Sequence, residues 1–212
     1  MTDARPCILL GAGGHAKVVL AVAHAQGLSI LGVCDPKLAG QRITHWRGLA
    51  VLGKDDVIYS WRPDQCRLLN GIGPNIQSST RSQLYNNFRR EGFSFPVLKH
   101  PHAWVDETAC LGEGTQVMAG AVIQSDTSIL ENTVINTSAS IDHDCRVGSN
   151  VHIAPGAIIC GGVTIGDFAY IGSGAIIIQN IHVGSNAIIG AGTTIVRNVI
   201  AESKVIGNNV HK

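Results

Sequence analysis

Ile141-Asp142-His143-Asp144 is the stretch of this 212-residue chain best suited to moving a proton. An imidazole has an ordinary pKa of about 6.5, so it accepts and returns protons near neutral pH. A neighbouring carboxylate, Asp142 or Asp144, can orient the ring and stabilise its protonated form. His152, nine residues on, is a second candidate. An isolated histidine is usually solvated surface, so the case for His143 depends on the element that carries it.

A second group of residues suits an anion. Cys7 to Leu10 is a short apolar run, followed by Gly11-Ala12-Gly13-Gly14-His15-Ala16. A helical apolar pattern comes next, through Val18, Val19, Val22 and Ala23, and then a second apolar run, Ile30 to Cys34, ending at Asp35. Strand, glycine turn, helix, strand and acid make a nucleotide-binding βαβ pattern. Gly13 and Gly14 let backbone approach a ligand, and the start of the helix favours its phosphates. Asp35 stands where a sugar or base would offer hydrogen-bond donors. By itself the glycine pattern fits a plain tight turn as well.

The element that must position His143 is a repeat. Every sixth residue from Val105 through Leu111, Val117, Ile123 and onward to Ile195 is Val, Leu or Ile, giving sixteen hexads without a slip. At about a one-in-four chance per site, the odds are on the order of 10⁻¹⁰, so this is a period and not composition. Four residues after each aliphatic stands a mostly small residue, such as Ala121, Thr127, Ala139 or Cys145. The residue after the aliphatic is often glycine, as at 112, 148, 166, 172, 184 and 190. A period of six fits neither a helix nor a meander. It fits a coil of short strands and tight corners, with the aliphatic pointing in and Gly or Asn serving the corners. One hexad cannot bury its aliphatic alone, whereas stacked coils form one continuous core. His143 is third in the hexad that begins at Ile141, so its side chain points outward.

The first hundred residues read differently. A third apolar run starts near Val51, and Leu68-Leu69-Asn70-Gly71-Ile72-Gly73 reads as a strand ending in a glycine turn. Gln77 to Arg90 reads as a helix with Leu84, Tyr85 and Phe88 inward. The spacing predicts a Rossmann-like α/β domain of parallel strands over 1–98, holding one nucleotide-sized ligand, and a coil domain over 99–212. Net charge is +1 and no Lys/Arg run exceeds a pair, which argues against nucleic acid or an anionic membrane surface as partner. No apolar stretch reaches the length of a membrane span, and the N-terminus lacks a signal-peptide pattern. Six scattered cysteines without a C-x-x-C pair read as reduced thiols in the cytoplasm, with no support for a metal site. His24, His45 and His211 read as surface residues.

Gly-Ala-Gly-Gly-His-Ala-Lys at 11–17, Asn-Gly-Ile-Gly at 70–73, His-Pro-His-Ala-Trp-Val at 100–105 and hexads carrying Ile-Asp-His-Asp at 141–144 occur together here. This combination resembles the sugar acetyltransferases of the PglD/NeuD/PerB type, within the hexapeptide-repeat acyltransferases. The resemblance spans nearly the whole chain. It implies a left-handed parallel β-helix, although parallel crossovers in general favour the right hand. With three hexads per coil, sixteen make a little over five coils, roughly 25 Å of prism. It also implies transfer of acetyl from acetyl-CoA to the amine of a nucleotide-linked 4-amino-4,6-dideoxy sugar. The alternatives are O-acetylation of a sialic-acid-type sugar, a non-catalytic nucleotide-binding trimeric scaffold, and a nicotinamide-binding regulator.

Carried over residue by residue, the resemblance makes His143 the base and Asp144 its partner. His152, Gly161 and Ser173 become acetyl-CoA contacts, and Gly13, Gly14, His15, Asp35 and Gly73 become sugar-nucleotide contacts. No metal is implied. His143 and His152 are half an 18-residue coil apart, so they leave different faces of one prism. They meet only if a neighbouring subunit supplies one of them, and the resemblance implies a homotrimer.

Overall fold

The computed structural model describes residues 3–207 and 209–211. The chain divides into two compact units, Met1–Leu98 and Lys99–Lys212.

In the first unit, β1 (Cys7–Leu10), β2 (Ile30–Cys34), β4 (Leu49–Gly53) and β5 (Arg67–Asn70) run parallel. β3 (His45–Trp46) adds an antiparallel edge to β4, giving the order β3-β4-β2-β1-β5. The sheet is therefore not wholly parallel, because the chain doubles back tightly through Arg47 and Gly48, both at positive φ. The helix α1 (Gly14–Ala25) buries Ala16, Val19, Leu20 and Ala23, one face at helical spacing. Another helix, α2 (Pro36–Gly40), is capped by Asp35. The last helix of the unit, α3 (Thr80–Arg90), starts three residues later than its apolar pattern suggests. The reason is local: the Asn75 side chain accepts from the Gln77 amide and the Ser78 hydroxyl from the Thr80 amide. Such bonds offer the backbone an alternative to the first helical turn. Leu10, Leu68, Leu84, Phe88 and Phe93 are buried together in this unit's core.

In the second unit, sixteen two-residue strands run from Trp104–Val105 to Thr194–Ile195, one per hexad. Every third strand pairs in parallel, so Val122 faces Ser140, Ser140 faces Ile158 and Ile158 faces Ile176. The partner is always eighteen residues away, and this register lays three faces around one core. The first face holds Ser140–Ile141, the second Arg146–Val147 and the third His152–Ile153. The aliphatics from Val117 to Ile195 are buried, and so are the small residues at the corners. Truncating one such aliphatic to alanine typically costs about 2–5 kcal/mol.

Where the small residue is threonine, its hydroxyl donates to a corner carbonyl fifteen residues on, as Thr127 does to Asp142 and Thr133 to Gly148. Cys145 makes the same link to Cys160 through its thiol. Burial pushes that thiol up to about 11 and the Cys34 thiol up to about 12, so both stay protonated and serve as packing. All six cysteines are free. His24 and His45 are exposed, whereas the side chain of His211 lies outside the described residues. Among the described residues no helix is long and apolar enough to cross a membrane.

Candidate active site

The corner between the first and second faces takes one residue per coil at positive φ: Asp126, Asp144, Gly162 and Asn180. Asp, Asn and Gly tolerate that conformation, so position 144 is restricted by the turn before any chemistry is asked of it. The turn also aims the side chain. Asp144 Oδ2 lies 2.7 Å from Nδ1 of His143. The choice between the two flanking acids is thereby settled, since Asp142 Oδ1 accepts instead from the His143 amide at 2.9 Å. Nδ1–H donates to Asp144, which leaves Nε2 as the proton acceptor. The His143 pKa is raised above its ordinary value, first by the hydrogen bond to Asp144 and then by the charge of Asp142. Its side chain is 59% exposed, as an outward position requires.

One coil further on, Gly161 lies against the ring. A Cβ placed there would stand 2.7 Å from Cε1 and 2.8 Å from Nε2 of His143. Glycine therefore keeps the basic edge of the imidazole clear, in a position where any side chain would cover it.

His152 lies elsewhere on the prism. Its strand belongs to the third face, and the ring is buried, 7% exposed. Nε2 is 3.2 Å from Asn136 Nδ2, and the ring meets Tyr170 edge-on at a centroid distance of 4.8 Å. Ser173 is exposed at the corner between the third and first faces, and its carbonyl accepts from the Gly192 amide. Within one chain, then, His143, Asp144 and Gly161 come together, while His152 and Ser173 sit across the prism from them. Asn136 and Tyr170 carried no sequence signal of their own. Their spacings of sixteen and eighteen from His152 are the only hint, and they become readable once the coil length is known.

The nucleotide-type residues gather in the first unit. Gly13 is the N-cap of α1, with Gly14 and His15 in its first turn. Gly73 packs against His15: a Cβ on it would meet the His15 Cβ at 3.1 Å. Asp35 points inward more than expected. Oδ2 accepts from the Ala12 amide and Oδ1 from the Leu38 amide, both at 2.9 Å. It ties the glycine turn to the end of β2, and a ligand would meet only its remaining lone pairs. Among the described residues no group of three or more His, Cys, Asp or Glu side chains is placed to hold a metal ion.

Two family models match the chain: the PglD N-terminal domain over residues 7–88, and the bacterial transferase hexapeptide (six repeats) over residues 162–197. Comparison with curated proteins finds no match. Among solved structures, the acetyltransferase domain of PglB from Neisseria gonorrhoeae, in complex with acetyl coenzyme A, is 36% identical. The match covers 98% of each chain with a TM-score of 0.89. PerB from Caulobacter crescentus, in complex with CoA and GDP-perosamine, is 34% identical over 97% of this chain and 96% of its own, with a TM-score of 0.87. WeeI from Acinetobacter baumannii is 27% identical, covers 98% and 99%, and gives 0.85.

Proposed function

The chain belongs to the sugar acetyltransferases of the PglD/PglB/PerB type, an α/β domain followed by a left-handed β-helix of hexapeptide repeats, and on that footing we propose an N-acetyltransferase acting on a nucleotide-linked 4-amino-4,6-dideoxy sugar. Acetyl-CoA is the donor. The observation that carries the reading is the His143–Asp144 pair, with Gly161 against its Nε2 edge, on a hexad coil. The amine reading is favoured over O-acetylation of a sialic acid because the Caulobacter relative is a GDP-perosamine N-acetyltransferase.

The acceptor nitrogen attacks the thioester carbonyl carbon with its lone pair, and a C–N bond forms. His143 Nε2 takes the proton that the nitrogen sheds, and Asp144 supports the imidazolium through Nδ1. The tetrahedral intermediate collapses, the C–S bond breaks, and the sulfur leaves with the proton returned by His143. Gly161 keeps this edge open. Gly13, Gly14, His15 and Gly73 hold the nucleotide end of the acceptor. His152 and Ser173 contact the coenzyme from a neighbouring copy, which is why we propose a homotrimer, the closed ring that such a contact favours. Six free thiols support a cytoplasmic location.

Incubation with acetyl-CoA and a panel of nucleotide sugars and sialic acids tests the reaction. Thiol release only with 4-amino sugars is expected. Release only with sialic acids replaces the reading by O-acetylation, and no release with any acceptor leaves a binding protein. Light scattering tests the assembly: a monomer with full activity would end the trimer.

Asp144→Asn keeps the corner, since asparagine also tolerates positive φ, but removes the charge. The parental kcat/KM rises with pH as His143 deprotonates, with its midpoint above the ordinary histidine value because the folded pKa is raised. Removing the anion should shift that limb to lower pH and lower the plateau. The substrate amine titrates in both proteins alike, so the shift between the two profiles reports His143. Superimposable profiles would show that Asp144 does not tune the ring.

A further inference from the structure

Arg81 is buried, only 7% exposed, and the chemistry above makes no use of it. It sits in the first turn of α3, directly behind the loop that follows β5. Nη1 donates to the carbonyls of Asn70 at 3.2 Å and Ile72 at 2.7 Å. Asn70, 1% exposed, completes the arrangement: Nδ2 donates to the Arg81 carbonyl at 3.1 Å, and Oδ1 accepts from the Ile72 amide at 3.2 Å. Each residue thus holds the other's backbone as well as the loop's. Burial pulls the guanidinium down to about 9, still above neutral, so it keeps its charge in ordinary conditions. Bonds from a cation to carbonyls in a dry interior are among the stronger ones available.

The other side of this loop packs against the end of β1 and the first turn of α1. Gly71 leaves no room for a side chain, since a Cβ would stand 2.6 Å from the Leu10 carbonyl oxygen and 2.9 Å from the Ala16 Cβ. Gly73 abuts His15. Ile72 C=O and Gly73 N–H belong to one planar trans peptide and point in opposite directions. With the carbonyl held on Arg81, the Gly73 amide is turned away from it.

We propose that Arg81 is a positioning residue for the sugar nucleotide: by gripping the Asn70 and Ile72 carbonyls it sets the Gly71–Gly73 loop in the one conformation that presents the Gly73 amide and seats His15 against the acceptor's diphosphate. This rests on the nucleotide-binding role proposed for the first unit. Arg81 does not touch the ligand, and the charge that orders the loop stays behind it.

The test is calorimetric binding of UDP, GDP and CoA to the full-length parent, Arg81→Gln and Arg81→Lys, with thermal melts alongside. For whichever nucleotide the parent binds, Arg81→Gln should bind about tenfold more weakly, the scale of a lost charge-assisted bond. CoA affinity should stay within about twofold in the same protein. Arg81→Lys keeps the charge but not the fork, and should fall between parent and Gln. If the Gln variant does not fold, the Lys variant decides. Parental nucleotide affinity in a folded variant overturns the inference, and so does an equal loss for nucleotide and CoA, which would mark a purely structural arginine. A parent that binds neither nucleotide instead removes the nucleotide-binding reading, and the inference with it.

Discussion

His143→Ala is expected to lower kcat by about 10²–10⁴-fold, the usual worth of a positioned general base. The acceptor amine must lose a proton as it becomes an amide, and Nε2 is the acceptor that the Asp144 bond leaves available. The KM for acetyl-CoA should move little, because the proposed coenzyme contacts His152 and Ser173 lie away from His143 on the prism. The pH limb that belongs to the imidazole should vanish, leaving only that of the substrate amine. Stability should hardly change: the ring is exposed and stands outside the aliphatic ladder, and such substitutions usually shift stability by under about 0.5 kcal/mol. Steady-state kinetics, a melt and light scattering on one preparation decide the matter. A folded variant in the parent's oligomeric state, turning over within a few-fold of the parent, would move the base assignment to His152 or to solvent.

Gly161→Ala should cost nearly as much by adding one methyl group. Gly161 is not among the glycines at positive φ, so its backbone accepts alanine. What does not accept it is the ring, because the new Cβ would stand inside contact distance of both Cε1 and Nε2. The exposed imidazole can swing aside, so the clash is relieved by displacing the base and not by straining the coil. A displacement on the order of 1 Å in a reacting group can cost about 10²-fold. The expected result is therefore a melt like the parent's with kcat down about 10²-fold. Combining it with His143→Ala should give no further loss, since both changes remove the same proton acceptor. Parental turnover in the single variant would show that the Nε2 edge facing Gly161 is not the one that works.

Asparagine and aspartate at the corner column show how far the sequence reaches. The hexads fix strand, inward residue and corner locally, and the repeat converts this local rule into long-range register, because a coil's neighbour is simply the next copy of itself. That is why the outward His143 and the aliphatic ladder, buried from Val117 to Ile195, are readable as text. The βαβ opening was readable for a related reason, being a short motif whose parts are adjacent in the chain.

The first unit lacks that self-similarity, and there the sequence alone said less. The β3 edge depends on which way a short turn closes, and the late start of α3 on side-chain bonds that compete with a helical turn. Arg81 lies three and four residues before Leu84 and Tyr85, on the buried stripe of α3. The helical period turns position 81 inward, and the Asn70 and Ile72 carbonyls across the turn receive its guanidinium there. Asp35 was legible as an acid at a strand end, yet its use of both oxygens on the Ala12 and Leu38 amides was not. Rules acting over six residues or fewer set the repeat, the core and the outward placement of His143 between two acids. Which acid meets the ring was decided by the folded corner that aims Asp144, the guarding of Nε2 by Gly161 by the stacking of the next coil, and the separate exit of His152 by the half coil between the two histidines.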